Sequence, residues 1–161
     1  MKPDATTEAH VLRQTLTIKL RLRDKHAAEL NRQARAVNFC WNYLNETSQK
    51  AWTRDRKWLS RFDLSALISG ANKELDVHSH TLQRTCQEFA KARDKARRAG
   101  IRWRGRKSLG WVPFNTGHVS FDGGTFKFRG ARYDTMHVSP HLADGAKIGG
   151  GSFTQDSKGR W

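Results

Sequence analysis

Between Lys91 and Lys107 the chain places Lys91, Arg93, Lys95, Arg97, Arg98, Arg102, Arg104, Arg106 and Lys107 against a single acid, Asp94. One carboxylate cannot neutralise so many cations, so the segment is suited to a polyanion, and guanidinium groups bind phosphate oxygens bidentately. Past Gly100 the alternation Arg102, Arg104, Arg106 predicts three guanidinium groups on one side of an extended stretch. Such a row matches the run of a phosphate backbone. A solvated charged face would normally mix signs, and this one does not. Trp52, Trp58, Trp103 and Trp111 lie beside Arg or Lys in the sequence. Trp103 and Trp111 suit either core packing or stacking on bases while the cations hold the backbone. Trp41, at a helical core position, is expected to be structural.

The wider composition points the same way. Lys plus Arg number 30 against 15 Asp plus Glu, a formal net charge of +15. Binding driven by that excess releases counterions and weakens as salt rises. Motifs for chemistry are missing: there is no Gly-x-x-x-x-Gly-Lys loop, no Ser-His-Asp arrangement and no evident carboxylate pair. Asp122 and Asp156 read as turn residues. His78 and His80, in DVHSH beside Asp76, lack a further ligand pair at recognised spacing. They are expected to start a helix, and neither a metal nor a catalytic residue is assigned. Cys40 and Cys86 each fall inside an apolar helical pattern, which suggests buried free thiols in a reducing compartment. Met1 to Leu12 contain no continuous apolar run, and no stretch approaches the ~20 apolar residues of a membrane span. The expected location is the cytoplasm, with no membrane partner.

These residues need elements to position them. Leu16, Ile18, Leu20 and Leu22 alternate with polar residues, so Val11 to Leu22 reads as a half-buried strand. From Asp24, a plausible N-cap, Leu30, Ala34, Val37, Trp41 and Leu44 recur at helical spacing to about Lys50. Ser60 with Asp63 is an approximate capping box for a second helix ending near Gly70. Ser79 to Ala99 forms a third, with Gly100 as its stop. His118 to Gly130 alternates around Asp-Gly-Gly, a hairpin signal. Thr135 to Ser139 and Gly151 to Gln155 read as further strands, and Asp156 to Gly159 as a turn. Only Arg160 and Trp161 follow that turn, so Trp161 is expected to lack a packing partner and the chain to look cut. The expected class is α+β: a small β-barrel from residues 1–23 and 101–161, interrupted by a three-helix lobe over residues 24–100.

TLTIKLRL, the helix containing RAVNFCWNYLNE, then LQRTCQEFAKARDKARRAG, RWRGRKSLGWVPF and GSFTQDSKGRW follow in order the N-terminal half of TnpB (OrfB-family) proteins. The resemblance spans Val11 to Trp161. These are transposon-associated RNA-guided nucleases related to type V CRISPR effectors. The resemblance implies a wedge-like barrel interrupted by a recognition lobe, which binds a guide RNA from the transposon end and the guide–target heteroduplex. It also implies reading of a short motif in the target double-stranded DNA, a task that RNA-guided systems leave to protein. The motif-reading positions carried over are Arg61, Phe62, Ser79, Gln83, Asn115 and Thr116; the Gln83 amide can pair with adenine. A cationic residue is common in such proteins where Ser79 stands, so motif preference differs. The family's RuvC-like nuclease domain, with three acids and a divalent metal, and its zinc-binding cysteines are expected beyond this sequence. This chain alone is therefore expected to need no cofactor and to cleave nothing. Two other readings remain open at this level: one half of a nuclease split across two chains, and a basic structural RNA-binding protein.

Overall fold

Leu30, Ala34, Val37, Cys40 and Leu44 all fall on one buried face, which is why the first helix forms. The structure, a computed structural model, describes residues 15–142 and 145–161. Helix α1 runs Ala27–Asp55, past the expected end at Lys50, and closes on Arg56 in the left-handed region. Asp24 is not its cap. It lies in a short 3-10 turn, Asp24–His26, and its carboxylate accepts instead from the Arg21 guanidinium. Helix α2, Arg61–Leu67, starts at the expected capping box: the Ser60 side chain accepts from the Asp63 N–H, and the Asp63 carboxylate accepts from the Ser60 N–H. Gly70, with φ 84°, then leads into a one-turn helix, α3, Ala71–Glu74, too short to show a period in the sequence. Helix α4 runs Ser79–Ala96 and ends on Arg97 at φ 51°, ahead of Gly100. Gly100 serves a close approach: a Cβ there would lie 2.3 Å from the Gln49 side chain.

The strands form two small antiparallel sheets. In one, β1 (Trp111–Phe114) pairs with β5 (Gly151–Thr154). The other is the meander β2 (Val119–Asp122), β3 (Thr125–Phe128), β4 (Ala131–Asp134). The expected hairpin turns on Gly123 and Gly124, both at positive φ, as a two-residue primed turn requires. A second such turn, Arg129-Gly130, places β4 ahead of the strand expected at Thr135 to Ser139. Of that segment Thr135 forms an isolated bridge with Leu22, and the Met136 N–H donates to the Arg21 carbonyl at 2.7 Å.

Among the described residues, the first expected strand keeps only the bridge at Leu22. Val11 to Gln14 lie outside the described residues, and Leu16 is 65% exposed. Around Leu22, however, the chain is tied on both sides: Leu22 N–H donates to the Trp161 carbonyl, and Arg23 N–H to that of Asp134. Trp161 itself is 6% exposed, and its indole N–H donates to Asn31 Oδ1 at 3.1 Å. The expectation of an unpacked Trp161 is thus overturned, because residues of α1 and the Leu22 segment supply the cover that local sequence does not.

Two hydrophobic cores result. Leu22, Val112, Phe114, Phe128, Tyr133, Phe153 and Trp161 pack between the sheets, together with Leu30 and Ala34 of α1. Cys40, Leu44, Leu64, Leu82, Cys86 and Phe89 pack among α1, α2 and α4. Helix α1 belongs to both, so the packing does not change at residue 24. Its first turns serve the sheets and its later turns the helices. No helix among the described residues is long and apolar enough to cross a membrane.

Candidate nucleic-acid interface

Three asparagines, Asn38, Asn42 and Asn45, line one face of α1 and fix the backbone that carries the basic run. The Asn45 amide donates to the Ile101 carbonyl at 2.8 Å and accepts from its N–H at 2.9 Å. Asn42 does the same for Arg104, at 2.7 and 2.9 Å. The Trp41 indole donates to the Arg102 carbonyl between them. The side-chain amides act as a strand edge would, pinning residues 101–104 without a β-ladder.

This docking corrects the one-sided arginine row. Arg102 and Arg106 are exposed, but Arg104 is half-buried. Its Nε donates to Asn38 Oδ1 at 2.6 Å and its Nη2 to the Leu109 carbonyl at 2.7 Å. The guanidinium lies over Trp41 and Trp111, 5.9 and 5.4 Å from their centroids. Burial pulls its pKa down, yet an arginine in a protein stays charged. Trp111, whose sequence context leaves core packing and base stacking both open, is engaged by Arg104 and by the edge of Trp41 at 6.2 Å. Trp103 is 49% exposed and retains a free surface.

Arg93 leaves the row altogether. It is 1% exposed, and its guanidinium donates to Ser48 Oγ at 2.7 Å and to the Leu59 carbonyl at 2.5 Å. The Trp58 ring covers it at 4.3 Å. Its position on α4 faces α1 and the linker, so its charge is consumed in joining them. The run of cations in the sequence gives no sign of this, since burial depends on which α4 face meets α1.

Lys91, Lys95, Arg97, Arg98, Arg102, Arg106 and Lys107 remain exposed, and among the described residues no ion pair engages any of them. Arg98 and Arg102 flank an open depression of about 440 Å³ that Gly100 and Ile101 also line. Other exposed rings are Trp52 and Trp58, edge to face at 6.1 Å, and Phe39 and Tyr43 on α1. Phe39 and Tyr43 escaped the sequence reading. Their signal is an aromatic pair one turn apart on the polar face of an amphipathic helix.

Comparison with family models and with curated proteins finds no match. Ser79 and Gln83 line a depression of about 250 Å³ between α2 and α4, with Ser65, Ile68 and Asn72 opposite. Gln83 is exposed, as are Arg61 and Phe62 at the start of α2. Phe62 is 75% exposed, with the Arg61 guanidinium 5.1 Å from its ring. The Arg61 carbonyl faces Cys86 Sγ at 3.9 Å, one turn along α4 from Gln83. Asn115 and Thr116 sit in the turn between β1 and β2, brought beside the start of α4 by His118, which stacks on His80. The six positions thus border the first half of α4.

That stacking also supplies what the sequence lacked. His118, far from His78 and His80 in the chain, completes a group in which one ring nitrogen from each lies within 4.8 Å of the others. Burial, and then the neighbouring His80 and His118, lower the pKa of His78, with Arg129 adding to the effect.

Proposed function

We propose that this chain is the guide-RNA and target-DNA recognition portion of a TnpB-like RNA-guided DNA endonuclease, with cleavage residing in a nuclease domain outside this sequence. The observation that carries the nucleic-acid reading is the exposed, acid-free set Lys91, Lys95, Arg97, Arg98, Arg102, Arg106 and Lys107 beside the exposed ring of Trp103. Exposed cations gain by releasing counterions from a phosphate backbone, and a neighbouring ring adds stacking. The RNA-guided part of the reading rests on the ordered sequence segments that resemble TnpB.

The Leu22 segment, hydrogen-bonded to Asp134 on one side and Trp161 on the other, supports a wedge-like barrel in which the two sheets and the N-terminal segment belong together. The depression holding Ser79 and Gln83 is a fitting place for a base edge, since an exposed glutamine amide offers adjacent donor and acceptor. Arg93 has no part in phosphate binding in this reading, and Arg104 holds the interface in shape.

The test is binding to a transcript of the host transposon's right end against an unrelated structured RNA of equal length, over a salt series. The cognate RNA is expected to keep its advantage as salt rises. Equal binding that falls off together would leave only polyanion attraction and sink the RNA-guided reading.

A further inference from the structure

His78 caps α4, His80 stands inside its first turn, and His118 leads into β2, so three imidazoles meet across the seam between the helices and the meander. The His80 and His118 rings stack at 3.7 Å and 25°, while His78 lies 5.2 and 5.1 Å from them. All three are half-buried, and the Phe128 ring stands 5.8 Å from His78. The Arg129 guanidinium, which acts electrostatically on His78, is paired with the Asp76 carboxylate at 2.5 Å. Among the described residues one hydrogen bond reaches these ring nitrogens: His78 Nδ1 accepts from the His80 N–H at 3.2 Å.

We propose that His78, His80 and His118 form a binding site for one divalent transition-metal ion of the zinc class, with the remaining position taken by water. An all-imidazole donor set suits Zn²⁺, Co²⁺, Ni²⁺ or Cu²⁺ and disfavours Mg²⁺ and Ca²⁺, which take oxygen ligands. Tetrahedral bonds of about 2.0–2.1 Å would bring the nitrogens to roughly 3.4 Å from one another. The present 4.8 Å limit leaves up to about 1.4 Å of closure from the tetrahedral spacing, within reach of ring rotation.

Binding has a structural consequence. A neutral imidazole that ligates through either nitrogen must carry its proton on the other. His78 then cannot also accept from the His80 N–H, so the metal replaces a long cap bond with a link between α4 and the β1–β2 turn. The ion would clip the helices to the meander beside Asn115 and Thr116.

The experiment uses the whole untagged chain, stripped with EDTA and titrated with Co²⁺, then with Zn²⁺ as competitor. The wild type is expected to take up one equivalent with visible d–d bands of a nitrogen-ligated low-coordinate ion, and to melt higher with Zn²⁺. His118→Gln and, separately, His80→Gln are expected to lose the bands and the Zn²⁺-induced shift. The affinity loss should exceed the roughly 10–100-fold seen when a supporting partner of a ligand is removed. His137→Ala, an exposed histidine elsewhere, should behave as wild type. No bands in the wild type, or bands that survive both Gln variants, would overturn the site. The result is independent of RNA binding, which the salt series above measures separately.

Discussion

Asn45 and Ile101, 56 residues apart in the sequence, exchange two hydrogen bonds between a buried side-chain amide and a backbone unit. Asn45 is 0% exposed, so this amide has no water to fall back on. Asn45→Ala would leave the Ile101 N–H and carbonyl without their partner at the point where α4 hands over to the basic run. Loss of stability of roughly 2 kcal/mol is expected, which corresponds to about 4–8 °C in melting temperature for a chain of this size. Thermal melts of the variant check it. An unchanged melting temperature would mean that Asn42 and Trp41 hold the segment without help.

Acid should act on Asp134 in a defined window. Its carboxylate accepts from the Lys25 ammonium and the Thr125 hydroxyl, which hold its pKa down to about 2 from the ordinary 3.8. A lowered folded pKa contributes stability that is fully present above the unfolded value and is lost as pH falls through the folded one. Asp134→Asn should therefore be less stable than wild type at neutral pH, with the gap closing between 3.8 and about 2. Urea midpoints of both proteins across that range test it. A gap that stays constant with pH would assign the effect to lost packing rather than charge.

The thiols should be silent. Burial pushes Cys40 to about 12 and Cys86 to about 11, and both lie in the core shared by α1, α2 and α4. Thiolate, not thiol, reacts with disulfide reagents. Native protein at neutral pH is expected to show no prompt reaction with Ellman's reagent, and two thiols to appear on unfolding in guanidinium. Prompt labelling of either in the native protein would show that the helical core opens locally.

What could be seen in the sequence follows the range of the forces involved. The Ser60–Asp63 box and the Gly123-Gly124 turn rest on neighbours three residues apart or closer, and both formed where the sequence placed them. The helical stripe from Leu30 to Leu44 likewise needs only its own period. The β4 strand was displaced because Arg129, at φ 56°, turns the chain without the usual glycine pair. Burial of Trp161 and the meeting of His118 with His80 depend on contacts across the chain, which periodicity cannot show. The basic run was legible as charge but not as geometry. Which cations face inward was decided by the partners waiting on α1, Ser48 for Arg93 and Asn38 for Arg104.

Arg93 and Arg98 are the pair that separates structure from binding. Both sit in the same cationic run, yet Arg93 is enclosed between Ser48, the Leu59 carbonyl and the Trp58 ring, while Arg98 is exposed. Arg93→Met removes charged donors from a buried carbonyl and hydroxyl and should lower stability by about 3 kcal/mol. Arg98→Ala should leave stability within about 0.5 kcal/mol. If Arg98 contacts a phosphate, its loss should reduce the slope of log affinity for RNA against log salt by about 0.7–0.9. Melting curves and a salt series on both variants give the four numbers. An Arg98→Ala chain with an unaltered salt slope would remove the depression beside Gly100 from the RNA path and shift attention to Arg106 and Lys107.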